Sequence, residues 1–129
     1  MADINMDVIA QIESSGNPLA VNKTSGAIGL HQIMPKGKKG ALDEWNNFHP
    51  KERHNNEDLY DKNVNSKIAH WYMNDRIPKM LKHFKHQDTP ENRLIAYNAG
   101  ISRVGKKHPK ESSDYIKKYN TAQLKNWKL

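Results

Sequence analysis

The chain has 129 residues, and its apolar positions fall in periodic clusters, so we expect a single, monomeric folded domain over residues 1–129. Cysteine is absent, which excludes disulfides and thiolate chemistry, and no apolar run approaches the roughly 20 residues that span a bilayer. The net charge of +7 favours a polyanionic partner: nucleic acid, a membrane surface or an anionic cell-wall polymer.

The first predicted element is an amphipathic helix over residues 4–13, because its apolar residues recur at every fourth position. Asp3 is a suitable N-cap for this helix. The polar and turn-forming residues 14–18 (SSGNP) are a helix stop signal. Glu13 is therefore expected in the last turn, where the helix dipole disfavours its negative charge.

Residues 19–35 contain two glycines and no helical period, so we expect an ordered loop with a short strand pair at most. A brief helix is predicted near residues 30–34. The basic run KGKKG at 36–40 reads as a flexible loop, and a short helical piece is predicted over 42–47.

The middle of the chain predicts a core helix over residues 62–77, because apolar and aromatic residues follow helical spacing there. Pro78 is expected to kink or end this helix, since proline lacks the backbone N–H that an inner turn requires. The apolar pattern then resumes over residues 79–84.

Another helix is predicted to start at Pro90, with Thr89 or Asp88 as its N-cap and Gly100 as its end. Residues 115–127 predict one closing helix or two short ones. No segment has a convincing sheet pattern. We therefore predict a mainly α fold with an irregular or minimal β region near residues 19–35.

Three short segments allow both a structural and a functional interpretation. Glu13 is either a solvated surface charge or an acid at the edge of a cleft. The run GAIGLHQ at 26–32 is either a turn or a place where the backbone approaches a ligand closely, which glycine permits. The segment AYNAG at 96–100, taken alone, is most simply a helix end with its glycine cap.

Taken together and in order, these segments resemble the signatures of the lytic transglycosylases of the SLT family, which have a lysozyme-like fold and cleave peptidoglycan. The matching segments are ESSGNP at 13–18, GAIGLHQIMP at 26–35, YDKNVNSKI at 60–68, AYNAG with the following RV at 96–104, and ESSDYI at 111–116. The resemblance covers almost the whole chain.

The resemblance implies that Glu13 is the single catalytic acid and that Tyr97 and Tyr115 support it. It also implies a set of substrate-binding residues, namely Ser14, Thr24, Gln32, Met34 and Asn98. The implied reaction cleaves the bond from MurNAc to GlcNAc without a cofactor or metal ion. Glu13 first protonates the glycosidic oxygen and then deprotonates the C6 hydroxyl, which closes a 1,6-anhydro ring. The implied partner is the glycan strand of peptidoglycan.

The sequence departs from the family pattern at several positions. His31 replaces the usual methionine, so we expect a more polar and pH-sensitive subsite wall. The loop after Glu13 is one residue longer than usual. The serine often found there therefore has three candidate replacements, Asn22, Thr24 and Ser25.

Two alternatives keep the substrate and change the activity. A second carboxylate opposite Glu13 would make the protein a hydrolase of the lysozyme type; the candidates are Asp43, Glu44, Asp61 and Glu91. A non-catalytic peptidoglycan-binding module is disfavoured because the family's acid is present.

Nucleic-acid binding is disfavoured because lysines are scattered over loops and several helices. His83 and His86 have no carboxylate at ligand spacing, so no metal site is predicted.

The N-terminal residues lack the basic and apolar regions of a secretory signal peptide. We therefore expect either a domain excised from a virion or secretion-system protein or, in preference, a bacteriophage endolysin that is made in the host cytoplasm. In that role, a separate membrane-permeabilising protein would release the enzyme to the periplasm and cell wall.

Overall fold

A computed structural model describes residues 2–35, 40–107 and 109–127, with side chains up to Lys125. Apart from Gly40, the predicted basic loop lies outside the described residues. The α-helices are α1 (Met6–Ser14), α2 (Ala41–Phe48), α3 (Lys62–Trp71), α4 (Ile77–His83), α5 (Pro90–Ala99) and α6 (Lys110–Trp127). The remaining helical turns are two of the 3-10 type, Asn56–Tyr60 and Ile101–Arg103, and a π turn at Tyr72–Arg76.

Within the described residues, β structure is limited to two isolated antiparallel bridges, which join Val21 to Ile28 and Ile28 to Ile33. The prediction of a mainly α fold with a minimal β region near residues 19–35 is confirmed. No described helix is long and apolar enough to cross a bilayer.

The N-terminus of α1 corrects the predicted cap. Asn5, and not Asp3, is the N-cap: its Oδ1 accepts hydrogen bonds from the backbone N–H groups of Asp7 and Val8 at 3.0 and 3.4 Å. Ile4 precedes the helix and is nevertheless buried at 3% exposure. The apolar pattern thus extends beyond the helix because Ile4 packs into the core from the segment that precedes α1.

The brief helix predicted near residues 30–34 is wrong. These residues form a turn that brings Ile33 back to Ile28, and the two exchange backbone hydrogen bonds at 3.0 Å. Gln32 lies within the turn with φ 53°, a left-handed backbone conformation that no continuing α-helix contains. The turn leaves Ile28 and Ile33 buried, which explains the apolar pattern.

Pro78 does not end its helix, which corrects one of the two predicted outcomes. The π turn Tyr72–Arg76 connects α3 to α4, and Pro78 lies in the first turn of α4. A π turn changes the hydrogen-bond spacing just before the proline, so the missing N–H is accommodated and the chain stays helical over residues 62–83.

The core is formed where α1, α3, α4, α5 and α6 converge. α1 packs on α6 and α3, and α5 packs on α4 and α6. Fully buried side chains come from each side of this core, including Ile9, Ile68, Ile77, Leu81 and Leu94. Each contributes about 1.5–3 kcal/mol through burial. The ends of α1 and α5 and the start of α6 are thereby held together.

Candidate active site

Glu13 lies in the last turn of α1, as predicted, and Ser14 ends the helix. The chain then turns sharply through left-handed conformations at Ser15 (φ 54°) and Gly16 (φ 78°). The Ser14 hydroxyl donates to the carbonyl oxygen of Leu30 at 2.7 Å. This bond fixes the end of α1 against the loop of residues 19–35.

The carboxyl group of Glu13 has one protein hydrogen-bond partner among the described residues. Tyr115, which is buried on α6, donates its hydroxyl to Oε2 of Glu13 at 2.9 Å. Burial raises the pKa of Glu13 from 4.5 to about 7, and the bond from Tyr115 opposes part of this rise. Glu13 can therefore hold or release a proton near neutral pH, as a general acid and base must.

Tyr97 lies on α5 near the same carboxyl group but bonds elsewhere: its hydroxyl donates to the carbonyl oxygen of His31 at 2.8 Å. Burial raises the pKa of both Tyr97 and Tyr115 well above the usual value. Both tyrosines are therefore neutral donors at physiological pH.

A cleft of about 320 Å³ opens beside Glu13. It is lined by Glu13, Asn22, Ser25, Ala27, Gln32, Met34, Tyr97, Asn98 and Glu111. The wall therefore combines two carboxyl groups, of which that of Glu13 titrates near neutral pH, with amide and hydroxyl groups and two apolar side chains. Convergent polar groups in a concave site are typical of ligand-binding clefts.

Five of the predicted site residues line this cleft directly, namely Glu13, Gln32, Met34, Tyr97 and Asn98. Tyr115 is not among the lining residues but donates a hydrogen bond to Glu13, which is. Ser14 and Thr24 are not among the lining residues. Ser14 bonds to backbone carbonyls, and Thr24 is exposed in a turn whose amides bond to Asn22. Of the three candidates for the loop serine, Asn22 and Ser25 line the cleft.

His31 corrects a prediction. It is not part of a polar subsite wall but is buried at 2% exposure, with Nε2 2.8 Å from the carbonyl oxygen of Met6 and Nδ1 3.3 Å from Oδ1 of Asn65. Burial lowers the pKa of His31, although its hydrogen bonds oppose this. Its side chain connects the loop to the core and is separated from the cleft.

Glu111 is the cleft residue that sequence reasoning missed as a second carboxylate. It lies in the first turn of α6, one helical turn before Tyr115, and i, i+4 spacing places both on neighbouring parts of one face. The i, i+4 spacing of Glu111 and Tyr115 was the signal in the sequence that could have identified Glu111 as a cleft residue. None of the four carboxylates proposed from the sequence lines the cleft: Glu44 pairs with Arg76, Asp61 caps α3, and Asp43 and Glu91 are exposed.

Metal binding finds no support in side-chain placement. Among residues 2–35, 40–107 and 109–127, no group of three or more His, Asp or Glu side chains could hold an ion together. His83 stacks edge-on against Phe84.

Replacing Tyr115 by phenylalanine is expected to raise the pKa of Glu13 above about 7, because the lost hydrogen bond stabilises the carboxylate. The protonated acid then persists to higher pH, so the alkaline limb of the kcat/KM profile should move upwards. Tyr119→Phe is the matched control, since Tyr119 is also buried on α6 but accepts from the backbone N–H of Asn5. An unmoved or lowered limb in Tyr115→Phe would contradict this role.

Comparisons with known proteins agree with this geometry. The family described as "Transglycosylase SLT domain" matches residues 6–120. The chain is 32% identical over 120 residues to "Membrane-bound lytic murein transglycosylase E" from Buchnera aphidicola subsp. Acyrthosiphon pisum (strain APS). That match covers 92% of this chain and 52% of the relative, so the chain spans about half the length of this curated protein. No solved structure matches significantly. The family match, which extends from α1 into α6, places the chain in the SLT transglycosylase domain family.

Proposed function

We propose that this protein is a peptidoglycan lytic transglycosylase that cleaves the bond from MurNAc to GlcNAc and leaves a 1,6-anhydro-MurNAc end. The observation that carries the proposal is the carboxyl group of Glu13, with a pKa of about 7, in a cleft lined by hydrogen-bonding side chains. Membership of the SLT family and the printed name of the curated relative support the reaction class.

The proposed first step uses the protonated form of Glu13. Oε2 accepts from Tyr115, so the acidic proton resides on Oε1. This proton moves to the glycosidic oxygen as the bond from C1 to that oxygen breaks. The acetamido oxygen of MurNAc stabilises the positive charge at C1, which replaces the second protein carboxylate of most glycosidases.

In the proposed second step, the carboxylate of Glu13 takes the proton of the C6 hydroxyl. At the same time the oxygen of that hydroxyl group bonds to C1 and displaces the acetamido oxygen. Glu13 is then protonated again, so the cycle neither gains nor loses a proton. A carboxyl group of pKa 4.5 would be protonated in only about one molecule in 300 at pH 7, whereas one of pKa about 7 is half protonated. Desolvation of Glu13 thus supports both steps.

Mass spectrometry of the products from purified Gram-negative peptidoglycan tests the proposal. The protein should release fragments that end in 1,6-anhydro-MurNAc, and Glu13→Gln should release about 10³-fold less of them or none that can be detected. Ordinary reducing ends would show that water attacks C1. If neither protein releases a soluble product, the proposed activity is wrong and a binding module remains.

Hydrolysis is the second candidate function, and Glu111 is the observation that favours it. Glu111 lines the same cleft as Glu13 and is exposed, so it could activate a water molecule. In the same product assay, Glu111→Gln separates the two reactions. If the protein is a transglycosylase, Glu111→Gln should still form anhydro ends. If it is a hydrolase that depends on Glu111, Glu111→Gln should no longer form products with reducing ends.

We also propose a biological role: a monomeric bacteriophage endolysin that acts after release from the host cytoplasm to the wall. The net charge of +7 supports attraction to an anionic wall. Expression in a Gram-negative host tests the location of action. Lysis should require co-expression of a membrane-permeabilising protein, and lysis without it would contradict this role.

A further inference from the structure

Ser112 is a buried polar residue that the proposed mechanism does not use. It lies in the first turn of α6, directly after Glu111, and its exposure is only 1%. Its hydroxyl donates to Oδ1 of Asn98 at 2.8 Å. Asn98 is the penultimate residue of α5 and lines the cleft, whereas Ser112 does not.

This hydrogen bond determines which end of the Asn98 amide faces the substrate. Within the described residues, Asn98 Oδ1 is the acceptor of the Ser112 hydroxyl proton. If the amide were turned over, the Ser112 oxygen would accept from Nδ2, and its own buried proton would lose this acceptor. An unsatisfied buried polar group costs about 1–3 kcal/mol, so the observed orientation dominates.

With Oδ1 occupied, the amide nitrogen of Asn98 carries two N–H groups that have no protein acceptor among the described residues. Asn98 therefore acts as a donor in the cleft wall. The strongest neutral acceptor on a peptidoglycan sugar is the carbonyl oxygen of its acetamido group. A freely rotating amide would present a donor or an acceptor and would lose part of this selectivity.

We propose that Ser112 is a positioning residue that orients the Asn98 amide so that Nδ2 donates to an acetamido carbonyl of the bound glycan. This inference rests on the proposed function, because it assumes that a saccharide occupies the cleft. Ser112 acts only through Asn98 and touches no substrate.

Kinetics of Ser112→Ala on soluble glycan strands test the inference. We expect KM to rise about 3- to 10-fold, the size of one hydrogen bond, while kcat changes less than twofold. Ser112→Thr keeps the hydroxyl and should restore the KM of the unmodified protein. Asn98→Asp keeps the acceptor for Ser112 but replaces the N–H donors, so its KM should rise at least as much. Thr121→Ala, an exposed hydroxyl deletion on α6, is the matched control.

A second readout separates positioning from a loss of folding and from a failure of the proposed function. In ¹H–¹⁵N spectra, tri-N-acetylchitotriose should shift the side-chain NH₂ signals of Asn98, and Ser112→Ala should weaken both this shift and the affinity for the trisaccharide. Equal KM and equal affinity in Ser112→Ala and the unmodified protein would overturn the inference. Absence of products with normal trisaccharide binding would instead refute the activity and leave the positioning role measurable.

Discussion

Replacing Glu13 by glutamine should lower glycan cleavage by about 10³-fold or more. Glutamine keeps the shape of the side chain and can still accept from the Tyr115 hydroxyl. It removes the only acidic proton that the two proposed steps exchange, and general acid–base catalysis contributes about 10²–10⁴-fold. Initial rates of product release from purified peptidoglycan measure the effect.

The same substitution should stabilise the folded protein at alkaline pH. The folded-state pKa of Glu13 is about 7 and the unfolded value is 4.5, so the folded protein binds the proton more tightly. The stability that this proton provides is fully present below pH 4.5 and is lost as pH rises through 7. Glutamine carries no ionisable proton, so Glu13→Gln escapes a loss of about 3 kcal/mol by pH 8.

Urea denaturation of both proteins at pH 4, 6 and 8 measures this difference, which should be near zero at pH 4 and increase with pH. Glu111→Gln makes the same chemical change at an exposed position in the cleft and should not reproduce the increase. A difference that stays constant between pH 4 and 8 would show that Glu13 titrates as an ordinary carboxyl group.

The sequence predicted those elements whose signals are local. α5 begins at Pro90 with the Thr89 hydroxyl as its cap and ends before Gly100, because cap, first turn and stop lie within a dozen residues of one another. The position of Glu13 at the end of α1 was predictable for the same reason.

Predictions failed where an apolar pattern has two structural solutions. Residues 30–34 contain apolar positions that suit one turn of helix, yet they form a bridged turn because Ile28 and Ile33 bury their side chains together. His31 was expected in the cleft wall because it replaces the methionine of the family pattern, and its neighbour in sequence Gln32 does line the cleft. The left-handed turn at Gln32 separates them, so His31 faces α1 and α3 instead.

The contacts that define the site could not be derived from spacing. The hydroxyl of Tyr115 and the carboxyl group of Glu13 are 102 residues apart in sequence, and their hydrogen bond follows from the packing of α1 on α6. The family resemblance indicated both residues but not their bond. Similarly, the contact between Ser112 and Asn98 depends on α5 packing against α6.

Replacing Asn65 by alanine should cost about 3–5 kcal/mol of unfolding free energy, the range for a broken network of buried polar groups. Asn65 is fully buried on α3. Its Oδ1 accepts from the backbone N–H of His31 at 2.9 Å, and its Nδ2 donates to the carbonyl oxygens of Ile28 and Leu59, each at 3.0 Å. Alanine would leave all three backbone groups without these partners. Urea denaturation measures the loss.

Asn63→Ala is the matched control, because Asn63 is exposed on the same helix and a surface change there should stay within about 0.5 kcal/mol. A similarly small cost for Asn65→Ala would show that water replaces the lost hydrogen bonds. Activity at temperatures where Asn65→Ala remains folded should also fall, because Tyr97 bonds to the carbonyl oxygen of His31 in the loop that Asn65 holds.

A substitution at Gly29 tests the same contact between the loop of residues 19–35 and α3. With φ 82°, Gly29 lies so close to α3 that an added Cβ would collide with Nδ2 of Asn65 and with the carbonyl oxygen of Leu59. Gly29→Ala should therefore destabilise the fold on its own. Combined with Asn65→Ala, it should cost less than the sum of the two single changes, because the first collision disappears with the amide. Strict additivity would mean that the loop moves away from α3 in each single variant, and that Asn65 does not fix the wall of the cleft.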